Sequence, residues 1–186
     1  MGTWWWIVIL AVALLGTLVL IYNRLVGTAQ MANEAWSGID VQLKRRADLV
    51  PALVETVKGY AGHERSALER IAQMRTEAQS VRPDDVARRA QAENALSGAL
   101  GRLIALAEAY PDLKASANFL ELQRDLSTIE NELQMSRRYY NGAVRNLNTL
   151  VQTFPINLIA GALGFAPRSY FELTDANERN APQIAL

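Results

Sequence analysis

The nearest approach to a catalytic metal motif in this chain is His63-Glu64. Such a pair holds zinc when a second histidine follows one helical turn later on the same face, with the glutamate acting as general base. Arg65, Ser66 and Ala67 follow instead, and His63 is the only histidine among 186 residues. One histidine also leaves too few ligands for the paired Glu-x-x-His di-iron sites of helical bundles. The chain has no cysteine, which removes thiolate zinc sites, iron–sulfur clusters, thiol catalysis and disulfides together. Neither a Ser-His-Asp set nor a phosphate-cradling glycine loop is present; Gly59-Tyr60-Ala61-Gly62 is too sparse and reads as lying inside a helix. The expectation is a chain that is not an enzyme, with no metal and no cofactor, and with His63 at the surface or at a helix cap.

Other polar residues stand out by spacing. Gln123, Glu130 and Arg137 recur every seven residues and share one flank of a helix; Asn141 and Asn148 repeat the interval. These could contact a polar ligand or partner. The reading favoured by the residues is an inter-helix network that sets register, with Lys44, Arg45, Arg46, Asp48 or Glu55 opposite. Asn141 and Asn148 are unfavourable within a helix unless hydrogen-bonded, so bonds between helices or subunits are expected. Lys44-Arg45-Arg46 is a small basic run beside Asp40 and Asp48, an ordinary solvated face. Nineteen basic side chains balance nineteen acidic ones, so no overall field favours nucleic acid, and none is expected as a partner.

Helices must position these groups. Phe119, Leu122, Leu126, Ile129, Leu133, Ser136, Tyr140, Ala143, Leu147, Leu150 and Phe154 follow one another at alternating steps of three and four. This period keeps one seam on one side of a long helix, which Pro155 ends by lacking a backbone donor. A second helix lies between Pro83-Asp84-Asp85, where an aspartate can cap, and Tyr110-Pro111. Its core face is Val86, Ala90, Leu96, Leu100, Leu103, Ile104 and Ala107. A first helix carries Trp36, Leu43, Val50, Leu53, Val54, Val57, Tyr60, Leu68 and Ile71, with Pro51 as a kink rather than a stop. Over residues 85–109 the second helix measures about 38 Å, and over 116–154 the third measures about 58 Å. The overhanging seam must be covered by the C-terminal segment or by another subunit; self-association is the expectation. The apolar stretch 156–165 is too short to span a bilayer and reads as a core-closing or interfacial turn of helix. Residues 169–173 can be extended, and the end of the chain is a polar tail that is either disordered or docks on a partner.

Ahead of the bundle, residues 4–21 carry no charge and as a helix would extend about 27 Å, near the thickness of a bilayer core. Trp4, Trp5 and Trp6 at one end, with Tyr22 and Arg24 at the other, are placed to anchor at the two interfaces. A cleaved signal peptide fits less well, since no basic residue precedes the run and residues 26–29 make a poor cleavage site. Arg24 and Lys44-Arg45-Arg46 follow the span, which predicts the N-terminus outside and the bundle in the cytoplasm.

Three stretches resemble the LemA family: AWSGIDVQLKRRADLVPALVETVKGYAGHE (35–64), AEAYPDLKASANFLELQ (107–123) and SRRYYNGAVRNLNTLVQTFP (136–155), with NLIAGALGF following (157–165). The resemblance implies a single-pass, membrane-anchored antiparallel helical bundle whose C-terminal domain is cytoplasmic, without established catalytic activity. It also implies two kinds of setting: membrane-protein quality control beside a membrane zinc metalloprotease, and organelle-membrane organisation. The combined expectation is an all-α chain: a transmembrane anchor over 1–22, an antiparallel bundle of three long helices plus a short C-terminal helix over 23–165, and an extended tail over 166–186. Its function would be that of a self-associating scaffold or adaptor at the inner membrane, with the lipid bilayer and further copies of itself as partners. The alternative is a regulatory subunit of a membrane protease or sensor, engaged through residues 174–186.

Overall fold

A computed structural model describes residue 2 and residues 4–172 of the chain. The described residues are helical with no strand: α1 (Trp4–Tyr60), α2 (Arg65–Ser80), α3 (Val86–Ala107), the four-residue α4 (Pro111–Lys114) and α5 (Ala117–Gln152), followed by a 3-10 turn at Ile156–Leu158. The membrane-length apolar segment and the first bundle helix are one helix, unbroken through Pro51. The last thirteen residues, the suggested docking tail, lie outside the described residues.

The apolar period that suggested one helix as far as Ile71 is divided between two. α1 stops at Tyr60, residues 61–64 turn, and α2 begins at Arg65. Gly59 and Gly62 weaken the helix here, each by up to about 1 kcal/mol relative to alanine. Gly59-Tyr60-Ala61-Gly62 is therefore a helix end and a turn, rather than helix interior. His63 is exposed within that turn. The second helix lies close to its expected bounds, and Asp85 caps it by accepting a hydrogen bond from the Arg88 amide at 3.1 Å.

The contacts fall into two compact units. One comprises the described residues of Met1–Ser37 with Arg138–Ser169, the other those of Gly38–Arg137 with Tyr170–Leu186. In the second unit the Arg75 Nε donates to the Ala47 carbonyl, so α2 returns antiparallel to α1 after the turn. α3 runs alongside α1 in the same direction, with Arg89 at Asp40 and Glu93 at Arg46. α5 comes back antiparallel, with Arg45 meeting Glu132 and Arg46 meeting Glu130. The result is an up-down-up-down arrangement of four helices. Its core gathers Val50, Leu53, Val57, Leu68, Ile71, Leu96, Leu100, Leu103, Leu113, Phe119 and Leu126.

The first unit is built on the early part of α1 and the late part of α5. Trp36 and Tyr140 meet with ring centroids 5.3 Å apart, while Leu25, Ala32, Val144, Leu147, Ile156 and Ala160 are buried. Within this unit the overhanging seam of α5 meets the early part of α1 and the chain's own C-terminal segment. The end of the heptad pattern departs from the expected core, because Phe154 lies beyond the helix and is exposed. Leu96 is fully buried in the second unit, so Leu96→Ala should cost about 2–5 kcal/mol in denaturant unfolding. Exposed Tyr139→Ala should change stability by roughly 0.5 kcal/mol or less.

Candidate functional site

Arg46 occupies an apolar position. Ile39, Leu43, Arg46, Val50, Leu53 and Val57 succeed one another at steps of three and four along α1, and all are buried. On α3 the same is true of Glu93, between Ala90 and Leu96. Two ionisable residues on core-facing positions of adjacent helices have to meet or be destabilising, since an unpaired buried charge is expensive.

They meet. The Arg46 Nη2 donates to the Glu93 carboxylate and, at 3.4 Å, to the Glu93 main-chain carbonyl. Its Nη1 donates to Ser97 Oγ at 2.5 Å and to Glu130 Oε1 at 2.8 Å. The four terminal N–H groups of the guanidinium are thereby accounted for, and its Nε is the one buried side-chain polar atom without a partner among the described residues. Glu93 takes a second arginine: Arg89 Nε donates to its Oε1 at 3.1 Å. Arg89 also donates to the Val81 carbonyl at 3.2 Å and lies 3.5 Å from Asp40. Two arginines therefore face three carboxylates contributed by α1, α3 and α5. Burial works against the charge on Arg46, but the carboxylates of Glu130 and Glu93 outweigh it and hold its pKa above the ordinary arginine value. The cluster is closed to solvent at its centre, with the Arg46 side chain 0% and Glu93 4% exposed, and opens at Glu130, 33% exposed, and at Asp40, 51% exposed.

The sequence-selected residues divide around this cluster. Glu130 joins it through Arg46. Arg45 instead forms an exposed ion pair with Glu132 at 2.7 Å, and Asp48 is exposed while Gln123 is half-buried. Arg137 and Asn141 are half-buried. In the first unit Asn148 holds the main chain of Arg168 from both sides: its Nδ2 donates to the carbonyl at 2.9 Å and its Oδ1 accepts from the amide at 2.8 Å. Tyr140 adds a hydroxyl bond to the Ser169 carbonyl at 3.0 Å, and Arg168 reaches Asn33 Oδ1 at 2.6 Å. The hydrogen bonding expected of Asn148 is thus made to the returning C-terminal segment. Burial raises the Tyr140 pKa, with nearby Arg168 opposing. Trp4, Trp5 and Trp6 are exposed at the start of α1, the first two rings 4.4 Å apart; Tyr22 and Arg24 are exposed at the end of the apolar run.

Arg89, Glu93 and Ser97 were not singled out from the sequence. The available signal was charge on an apolar register, at Arg46 and Glu93, rather than the seven-residue repeat beside it. No group of three or more His, Asp or Glu side chains is placed to hold a metal ion among the described residues. A shallow groove between α2 and α3, lined by Ser66, Arg70, Ile71, Ala99, Arg102 and Leu106, has an apolar floor and no carboxylate or histidine beside its one hydroxyl.

Comparison with known proteins places this architecture in context. The family model for LemA matches residues 35–186. The protein named LemA from Metamycoplasma hominis is 26% identical over 153 residues, which cover 82% of this chain and 69% of that protein. Magnetosome protein MamQ 2 from Paramagnetospirillum magneticum is 24% identical over 195 residues, 92% of this chain and 72% of its own. Magnetosome protein MamQ from Magnetospirillum gryphiswaldense is 24% identical over 199 residues, 93% and 73% respectively.

Glu93 serves two arginines, so Glu93→Gln should lower unfolding stability by about 3–5 kcal/mol, the range for breaking a buried pair. Arg45→Ala, which removes an exposed pair, should cost about 0–1 kcal/mol. At alkaline pH a second effect is expected. The native state keeps the Tyr140 proton more tightly than the unfolded chain, so stability falls as pH rises past the ordinary tyrosine value of 10.0. In Tyr140→Phe that part of the alkaline loss should disappear from pH-dependent unfolding curves.

Proposed function

The chain belongs to the LemA family, and we propose that it serves as a membrane-anchored scaffold that associates with itself and presents its helical bundle to other membrane proteins. The observation that carries this reading is the direction in which its polar chemistry points. The convergent ionisable groups of α1, α3 and α5 satisfy one another inside the bundle, with the centre closed to solvent. What faces outward is of another kind. α1 begins with a segment long and apolar enough to cross a bilayer, none of it buried against the rest of the chain. In the second unit Val41 and Met135, each 55% exposed, occupy opposed levels of the antiparallel pair α1 and α5, close to where Gly38 and Ser136 face each other. Exposed apolar side chains at matching levels of two helices are what a further helix from another subunit can cover.

The basic residues after the span support an N-terminus outside the inner membrane and a bundle in the cytoplasm. A scaffold of this type binds without turnover and uses neither metal nor cofactor. Service as a regulatory partner of a membrane protease remains the competing assignment, and it would run through residues 174–186.

Chemical cross-linking of the full chain in native membranes, followed by purification and mass analysis, tests the proposal. Adducts of two or more copies, reduced by Val41→Asp or Met135→Asp, are expected. A chain recovered only as monomer at all concentrations would overturn self-association. Loss of every heterologous adduct on deleting residues 174–186, with self-adducts retained, would instead favour the protease-partner assignment.

A further inference from the structure

Three large apolar side chains stand in solvent just beyond α5: Phe154 is 75% exposed, Leu158 71% and Leu163 40%. They belong to the stretch TFPINLIAGALGF, residues 153–165, which holds no charged side chain. Ile156 and Ala160 of the same stretch are buried and tie it to the first unit. The segment thus has one face packed and one face bare.

Along α1 the segment lies level with the end of the anchor. The ring of Phe165 meets that of Tyr22 edge-on, with centroids 6.0 Å apart, and Tyr22 directly follows the apolar run of the anchor. The helix register leads to the same level. From the Trp36–Tyr140 contact, fourteen residues back along α1 reach Tyr22, a rise of about 21 Å, and twelve onward from Tyr140 reach Gln152 at the end of α5, a rise of about 18 Å that brings residues 153–165 to nearly the same level. Ile21 is the first half-buried residue of α1 and Leu25 the first fully buried one, so packing begins where the membrane-length segment ends.

The backbone of the stretch is also suited to a dry environment. Amides of Leu158, Ile159, Ala160, Leu163, Gly164 and Phe165 all donate to carbonyls within residues 155–161, which lowers the cost of placing these peptide groups near hydrocarbon. Gly164 makes the closing turn with φ +82°, a conformation that favours glycine.

We propose that residues 153–165 form a second, non-spanning membrane contact, seating Phe154, Leu158 and Leu163 in the interfacial layer of the bilayer beside the anchor. The stretch is too short to cross, and its bare aromatic and aliphatic side chains suit the headgroup–acyl boundary. This inference rests on the reading of α1 as a membrane span.

The absence of cysteine permits single-site labelling of the full chain. Leu158→Cys, Leu14→Cys in the anchor and Thr128→Cys on the exposed surface of α5 would each carry a polarity-sensitive fluorophore in phosphatidylcholine vesicles. Position 158 should show blue-shifted emission, quenching by lipids carrying a shallow nitroxide and protection from aqueous iodide, whereas position 128 shows the reverse. If position 158 behaves like position 128 while position 14 is quenched by lipid, the second contact is overturned and the anchor stands. If neither 14 nor 158 senses lipid, both fail. Shielding of 158 from both quenchers would mean that protein covers it, which also overturns the proposal.

Discussion

A buried arginine constrains everything around it. Arg46 sits where the apolar rhythm of α1 calls for a hydrocarbon side chain, and its guanidinium is tolerable there only if α3 and α5 bring acceptors to it. A slip of either helix by one turn would leave the charge without its carboxylates, whereas a slip along a purely apolar seam costs far less. Hydrophobic burial by Leu43, Val50, Leu96, Leu133 and their neighbours supplies the driving force for assembly. The ion cluster selects among the packings that such uniform seams allow. In the first unit the register is held by different means, through Trp36 on Tyr140 and the paired hydrogen bonds of Asn148 with Arg168.

This division of labour keeps the convergent ionisable groups of the described residues inside the bundle. Arg46, Arg89, Glu93 and Glu130 pair with one another there. The exterior carries exposed ion pairs such as Arg45–Glu132, scattered apolar side chains, and at one end a helix of membrane length. In the proposed scaffold, specificity comes from surfaces, and a membrane anchor would raise the effective concentration of those surfaces for partners in the same membrane.

Much of this was legible in the residues. The seam from Phe119 to Leu147 is buried or half-buried along its length, and the apolar run at residues 4–21 leads into the bundle without interruption. Periodicity failed where it had no means of seeing a turn: Val57, Ala61, Leu68 and Ile71 keep a helical rhythm across the break at residues 61–64, because α2 folds back and presents its apolar side to the same core. The cluster was half legible. Glu130 was found from its place in a seven-residue repeat, and pairing with the basic run of α1 followed from register. Glu93 was missed because an acid among alanines on a helix resembles a solvated residue until the neighbouring helix brings Arg46 against it. Arg168 escaped notice because both of its bonds with Asn148 run through its backbone, which side-chain patterns do not report.

Helix register depends on Arg46 and Glu93 acting as one unit in the folded chain. A double-mutant cycle of Arg46→Met, Glu93→Leu and the combined variant, read from denaturant unfolding of the full chain in detergent, measures that directly. The structure predicts a coupling of about 1–3 kcal/mol, with the double variant more stable than the sum of the single losses implies. Effects that add within roughly 0.5 kcal/mol would contradict it and leave helix register to the apolar seams alone.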